Sequence, residues 1–277
     1  MTHTEANRKA VRQSAALLLP GMSLNATIFP DLEMPTISPD LSGLELGGDG
    51  ITPELRKYGF DTYVQLIEDE LNRSRCWENA RRYVVAHSFG GMLALHWLIH
   101  NQDKEIAQID GLVVIGSTPG PMYEQVKLRV PNPFQQEWRV AIGWLVPLWN
   151  RPNTTRMVKR LMCRGKLEAE PINFRDLDIR SEADLGRAGW RNVDWRALRA
   201  YRFTMEGFDV RDRLAELSVP TIVLHGTEDS LFAPDDAHLL SKLMPAAELR
   251  LVKGADHALP VTHGADVVRA VADLSAR

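Results

Sequence analysis

An apolar run ends on a serine in Tyr83-Val84-Val85-Ala86-His87-Ser88-Phe89-Gly90-Gly91, and a helical pattern, Met92-Leu93-Ala94-Leu95, begins directly after it. A strand that turns at once into a helix forces the central residue into a strained backbone conformation, often with positive φ. The residues two before and two after it must then be small, as Ala86 and Gly90 are. Such a turn lifts the Ser88 hydroxyl off the sheet, at the positive end of the following helix. The chemistry this suits is nucleophilic attack. An ordinary strand-to-helix turn is the other reading of these residues; strand, small neighbours and helix in one line favour the nucleophile.

A serine hydroxyl at neutral pH needs an adjacent base. The base is expected on a loop at the carboxyl end of a later strand. Eight histidines compete for the role. His87 adjoins Ser88, but its side chain should point elsewhere. His96 and His100 share one helix, His225 ends a strand, and His3, His238 and His263 have plain surface readings. His257 follows the last strand, in Gly254-Ala255-Asp256-His257. For the acid that orients it, Glu228, Asp229 and Asp256 are rivals. Asp256 abuts His257, and adjacent residues orient each other poorly. Asp229 is favoured over Glu228 because the turn Gly226-Thr227-Glu228-Asp229 brings it back over the strand end. Acyl transfer also needs N–H donors aimed at the developing oxyanion. The backbone N–H of Phe89 is one. The N–H of Met22, where Gly21 lets the chain turn after Ala15–Leu19, is the other.

These residues must be carried by a sheet. Short apolar runs at Ala15–Leu19, Thr36–Ser38, Tyr83–Ala86, Leu112–Ile115, Thr221–His225 and Leu249–Val252 read as strands. Several lack alternation, as central strands covered on both faces do. Helical patterns at Tyr63–Arg73, Gly90–His100, Asp235–Leu243 and Ala265–Leu274 lie between them. Strand–helix alternation predicts a mostly parallel sheet with right-handed crossovers. The alternation breaks between about Pro119 and Leu217. There Phe134, Trp138, Ile142 and Leu145 are spaced for one helix face, and Arg156–Met162 and Trp195–Met205 also read as helices. The stretch is read as a helical cap inserted into one domain.

In this order the segments Pro20-Gly21-Met22, Asp40-Leu41-Ser42-Gly43, Ala86-His87-Ser88-Phe89-Gly90, His225-Gly226-Thr227-Glu228-Asp229 and Gly254-Ala255-Asp256-His257 resemble the α/β-hydrolase superfamily. The match runs from about Ser14 to the end, except for the insertion. The resemblance implies an α/β-hydrolase fold: a mostly parallel central sheet flanked by helices, residues 1–118 and 218–277, with a helical cap over 119–217. It implies a serine hydrolase cleaving a carboxylic ester through an acyl-enzyme. A thioesterase or C–C bond hydrolase would use the same residues, and a non-catalytic ligand-binding homologue is a further alternative. Gly21-Met22-Ser23-Leu24-Asn25-Ala26 is also similar to the oxyanion loop of carboxylesterases that cleave a carrier-protein-bound pimeloyl methyl ester. Two departures stand out: Pro20 where many members have His, and Gly43 followed by Leu44–Gly50 where many have Asp-x-x-Gly-x-Gly. Dehalogenases and epoxide hydrolases of this fold carry Asp where this chain has Ser88.

Five of the seven tryptophans fall in the insertion. Trp138, Trp144 and Trp149 are candidates to roof an apolar substrate pocket; filling a small helical core is the other reading. From Arg151 to Lys166 there are six cations and no carboxylate. Arg151, Arg156, Lys159 and Arg160 are thus a candidate docking face for an acidic carrier protein or a coenzyme A thioester. A solvated helix face, answered by the acidic stretch 168–184, is the alternative. With 277 residues the chain can bury a core without disulfides or metal. Its net charge of −3 gives no reason to expect nucleic acid or an acidic membrane. Cys76 and Cys163 have no metal spacing and are expected as free thiols of a cytoplasmic protein. No cofactor motif is present, and the apolar run after Arg8, Lys9 and Arg12 is too short for a signal peptide or a membrane span.

Overall fold

The computed structural model describes residues 13–41, 59–121 and 152–277, apart from 164, 168, 169, 171 and 206. Six parallel strands form one sheet in the order β2-β1-β3-β4-β5-β6. They are β1 (Ser14–Leu19), β2 (Thr36–Ile37), β3 (Arg81–His87), β4 (Gly111–Ile115), β5 (Thr221–Gly226) and β6 (Ala247–Val252). The expected strands are all present, with ends moved by one or two residues.

Side chains of a strand point alternately to its two faces, and here both faces are apolar. Leu17, Leu19, Val84, Ala86, Leu112 and Val114 pack on one side of the sheet, under α1 (Phe60–Arg73) and α2 (Phe89–His100). Leu18, Tyr83, Val85, Val113 and Ile115 pack on the other, under the C-terminal helix Gly264–Ser275. This double covering is why the runs read as continuous apolar segments. α2 is buried on nearly all sides, only His96 and His100 of its residues reaching solvent.

The described part of the insertion is helical: α3 (Pro152–Met162), α4 (Glu182–Asn192) and α5 (Trp195–Met205). The predicted helices at 156–162 and 195–205 are thus found, while the one built on Phe134, Trp138, Ile142 and Leu145 lies outside the described residues. α4 was missed. Its start carries a cap signature, Ser181 accepting the Asp184 N–H, which the acidic composition of the stretch hid. The insertion does not stand apart from the sheet domain. Tyr201 of α5 stacks on Tyr63 at 5.7 Å, meets Phe89 edge-on at 5.0 Å, and donates its hydroxyl to Leu41 O at 2.9 Å.

The remaining helices complete the frame: α6 (Pro234–Leu243) after β5, then α7 (Leu259–Thr262) and α8 (Gly264–Ser275) after β6. β1 and β2 run outward in one direction from the middle of the sheet, and β3 to β6 in the other. The crevice between the carboxyl ends of β1 and β3 is therefore the topological switch point, where ligands bind in open α/β sheets. Among the described residues no helix is long and apolar enough to cross a membrane.

Candidate active site

Ser88 stands at that crevice, between β3 and α2, with φ 57° and ψ −120°. A non-glycine residue held there costs about 1–3 kcal/mol and persists only where its surroundings over-determine it. Here the Ser88 N–H donates to Ile115 O at 2.9 Å. Its carbonyl accepts the Gly91 N–H at 2.9 Å and the Ser117 hydroxyl at 2.8 Å. The turn needs Gly90 because the helix passes against the end of β1. A Cβ at Gly90 would lie 2.1 Å from Leu19 O and 2.7 Å from Pro20 O. Gly90→Ala is therefore expected to cost about 3 kcal/mol, as overpacking against fixed backbone does. Denaturant unfolding would check this; a midpoint equal to that of the unaltered protein would refute the close approach.

Asp229 lies past the end of β5 and closes the predicted turn, its N–H donating to Gly226 O at 3.3 Å. One carboxylate oxygen accepts the N–H groups of Leu231 and Phe232, both at 2.9 Å. The other meets His257 Nδ1 at 2.8 Å. Both residues are buried, whereas Glu228 is exposed. Asp256 makes a different set of bonds, accepting N–H groups of Ala258 at 2.9 Å and Glu182 at 2.7 Å. Of the three rival acids, Asp229 is the one bonded to His257.

Burial works against a charged imidazole at His257, but the Asp229 carboxylate outweighs it, so the pKa is raised above the ordinary histidine value. Burial likewise works against a charged Asp229, and the facing His257 holds its pKa below the usual carboxylate range. The carboxylate fixes Nδ1 as the protonated nitrogen of a neutral imidazole and leaves Nε2 as the acceptor.

Two shared neighbours tie this pair to the serine. The Ser88 N–H is held by Ile115, and a Cβ on the next residue, Gly116, would lie 3.1 Å from Asp229 Oδ2 and 3.3 Å from His257 Nδ1. His87, beside Ser88, reaches the carbonyl of His257 with Nε2 at 3.0 Å, their rings 4.7 Å apart. Burial pushes the His87 pKa down to about 3. A neutral imidazole must then donate from Nε2, so His87 is a fixed strut under the His257 backbone.

The loop after β1 passes beside Ser88. A Cβ on Gly21 would lie 3.1 Å from Ser88 Cβ and 3.0 Å from His87 Nδ1. Gly21 thus serves close packing against Ser88 and His87 rather than the turning that its place after β1 suggested. The left-handed residue of the loop is Ser23, at φ 70°. Among the described residues neither the Met22 nor the Phe89 N–H donates to a backbone carbonyl.

Among the described residues His96, His100, His225 and His263 have structural partners, and His3 lies outside the described residues. His225 Nε2 bonds Phe232 O at 3.0 Å, and His96 stacks on Phe60 at 4.7 Å and on His100 at 4.1 Å. Trp138, Trp144, Trp149 and Arg151 lie outside the described residues. Lys159 departs from the expected cationic face: it is fully buried, with Nζ donating to Trp190 O and Val193 O. Its charge cannot face a partner because it closes carbonyls beside the C-terminus of α4, a favourable place for a cation. Arg156 lies over the Trp195 ring at 4.9 Å, and Arg160 is exposed.

Sequence reasoning missed two residues of α4. Glu182, at its first turn, accepts the His257 N–H at 3.3 Å and the Ser230 N–H at 3.2 Å. Asn192, at its last, donates to Ser23 O at 3.1 Å and accepts from Asn25 Nδ2 at 3.1 Å. Locating α4 from Ser181 and Asp184 would have placed both at helix ends, where side chains reach loops.

Comparisons with known proteins agree with this arrangement of strands and helices. Two curated relatives are named pimeloyl-[acyl-carrier protein] methyl ester esterase. The one from Vibrio vulnificus (strain CMCP6) is 24% identical over 247 residues, 89% of this chain and 88% of its own. The one from Aliivibrio fischeri (strain MJ11) is 21% identical over 229 residues, 81% of this chain and 79% of its own. Among solved structures, MenH from S. aureus superposes with a TM-score of 0.60 at 17% identity, covering 95% of this chain and 93% of that one. The model of the alpha/beta hydrolase family matches residues 16–270. The chain therefore belongs to the alpha/beta hydrolase family.

Proposed function

We propose that the protein is a serine hydrolase that cleaves a carboxylic ester through an acyl-enzyme on Ser88, with His257 as base and Asp229 as the orienting acid. The observation that carries this reading is the 2.8 Å bond from His257 to Asp229, held beside a serine with a strained backbone. His257 Nε2 takes the Ser88 proton as the oxygen attacks the acyl carbon. The negative charge that develops on the carbonyl oxygen is met by the N–H groups of Met22 and Phe89. The same proton passes to the leaving alcohol as the ester C–O bond breaks. A water molecule, deprotonated by His257, then releases the acid and returns the hydroxyl to Ser88. Asp229 stays ionised throughout and stabilises the imidazolium.

The relatives from Vibrio and Aliivibrio, whose names give an acyl-carrier-protein methyl ester as substrate, support an ester over a thioester or a C–C bond. An acidic carrier protein would bring negative charge to the site, and among the described residues of the proposed docking stretch Arg160 and Lys166 are exposed cations, Lys166 being paired with Glu170.

The test is kcat/KM for a p-nitrophenyl ester against pH. The rate should fall on the acid side through a midpoint above about 6.5, the ordinary histidine value, because protonated His257 cannot accept the serine proton. An acid limb with its midpoint below that value would contradict the pairing of His257 with Asp229.

A further inference from the structure

Among the described residues of the insertion, Glu182 reaches the loops that carry Asp229 and His257. Glu182 stands at the first turn of α4, and its carboxylate lies between the two loops that carry Asp229 and His257. One oxygen accepts the His257 N–H at 3.3 Å and the Ser230 N–H at 3.2 Å; the other accepts the Ser230 hydroxyl. The base loop answers in kind, Asp256 accepting the Glu182 N–H at 2.7 Å. A carboxylate at a helix N-terminus is favourable by itself. Here two carboxylates are exchanged across the junction, and their partners are His257 itself and the residue beside Asp229.

We propose that Glu182 is a positioning residue of this site, clamping the acid loop to the base loop and setting the orientation and charge environment of the His257 imidazole. This rests on the reading of Ser88, His257 and Asp229 given above. α4 braces the opposite side of the crevice too, since Asn192 holds Ser23 and Asn25 in the loop expected to supply an oxyanion donor. Ten residues of helix separate the two anchors, about 15 Å. One rigid rod from the insertion thus touches both halves of the machinery, as a preorganised site requires.

The charged and titratable groups around His257 are Asp229 from the β5 loop, Glu182 from α4, Asp256 beside it and His87 from β3, with His225 behind Asp229. Burial disfavours the imidazolium; Asp229 first, then Glu182 and Asp256, favour it. Removing the Glu182 charge therefore lowers the pH at which His257 gains its proton.

The experiment is the rate of Ser88 phosphonylation by a fluorophosphonate, followed against pH, for the unaltered protein, Glu182→Gln and Glu182→Asp. The readout needs no knowledge of the natural substrate. Glu182→Gln keeps the shape and loses the charge, so its acid limb should move to lower pH, with a plateau on the order of tenfold slower as the imidazole loses its register. Glu182→Asp keeps the charge and loses reach, so its plateau should fall while its limb stays near that of the unaltered protein. A Glu182→Gln limb at the unaltered pH overturns the proposal, whatever its plateau. Should that variant not fold, an unaltered plateau in Glu182→Asp overturns it. If the unaltered protein is not labelled at Ser88, the reading of the site fails and this proposal with it; normal labelling with no change in the variants removes the role of Glu182 alone.

Discussion

Ser88→Ala is expected to lower kcat for ester hydrolysis about a million-fold, the loss found when a triad acting as a unit loses its nucleophile. The fold should survive. The structural bonds of Ser88 run through its backbone N–H and carbonyl, which alanine keeps. Its positive φ strains alanine as it strains serine, so stability should change by less than about 1 kcal/mol. Steady-state turnover beside a thermal melt would check both halves. A variant that melts as before and turns over within tenfold of the unaltered protein would remove Ser88 from the chemistry.

Asp229→Asn is the second large effect, and it acts through the proton on His257. The asparagine oxygen can still accept from Leu231 and Phe232, as Asp229 Oδ1 does at 2.9 Å. Its amide then faces His257 Nδ1, where the carboxylate oxygen stood at 2.8 Å. An amide donates, so Nδ1 must become the acceptor and Nε2 must carry the proton. Nε2 can then no longer take the proton of Ser88. A loss in kcat of about 10⁴-fold is expected. Glu228→Gln is the internal control, since Glu228 is exposed and its turnover should stay within about twofold. Comparable losses in both variants would mean that the acid had been misassigned.

Much of this candidate site was legible because its residues sit on local grammar. Strand, small residue, serine and helix occur in one stretch, so Ser88 could be found without knowing what packs around it. Asp229 follows the continuous apolar run Thr221–His225, and His257 follows a shorter run, Leu249–Val252, interrupted by Arg250. The choice of Asp229 over Glu228 rested on turn geometry, and the buried carboxylate and exposed glutamate agree with it. What was hidden depends on contacts between distant segments. Lys159 looks like any cation of a basic helix until Trp190 and Val193 place their carbonyls against it. Gly21 looks like a turn glycine, yet what a side chain there would press on is Ser88 and His87. Glu182 reads as one more acid in an acidic stretch, and its partners Ser230 and His257 come from the far end of the chain. No periodicity reports such pairings.

The central claim, that the Ser88 hydroxyl is a nucleophile activated in the folded protein, is tested most directly by mass spectrometry after reaction with a fluorophosphonate. The account predicts one phosphonyl group per chain, on the peptide containing Ser88. The adduct should be absent from heat-unfolded protein and from Ser88→Ala. Folded protein that takes up no label, or takes it up on another residue, would contradict it.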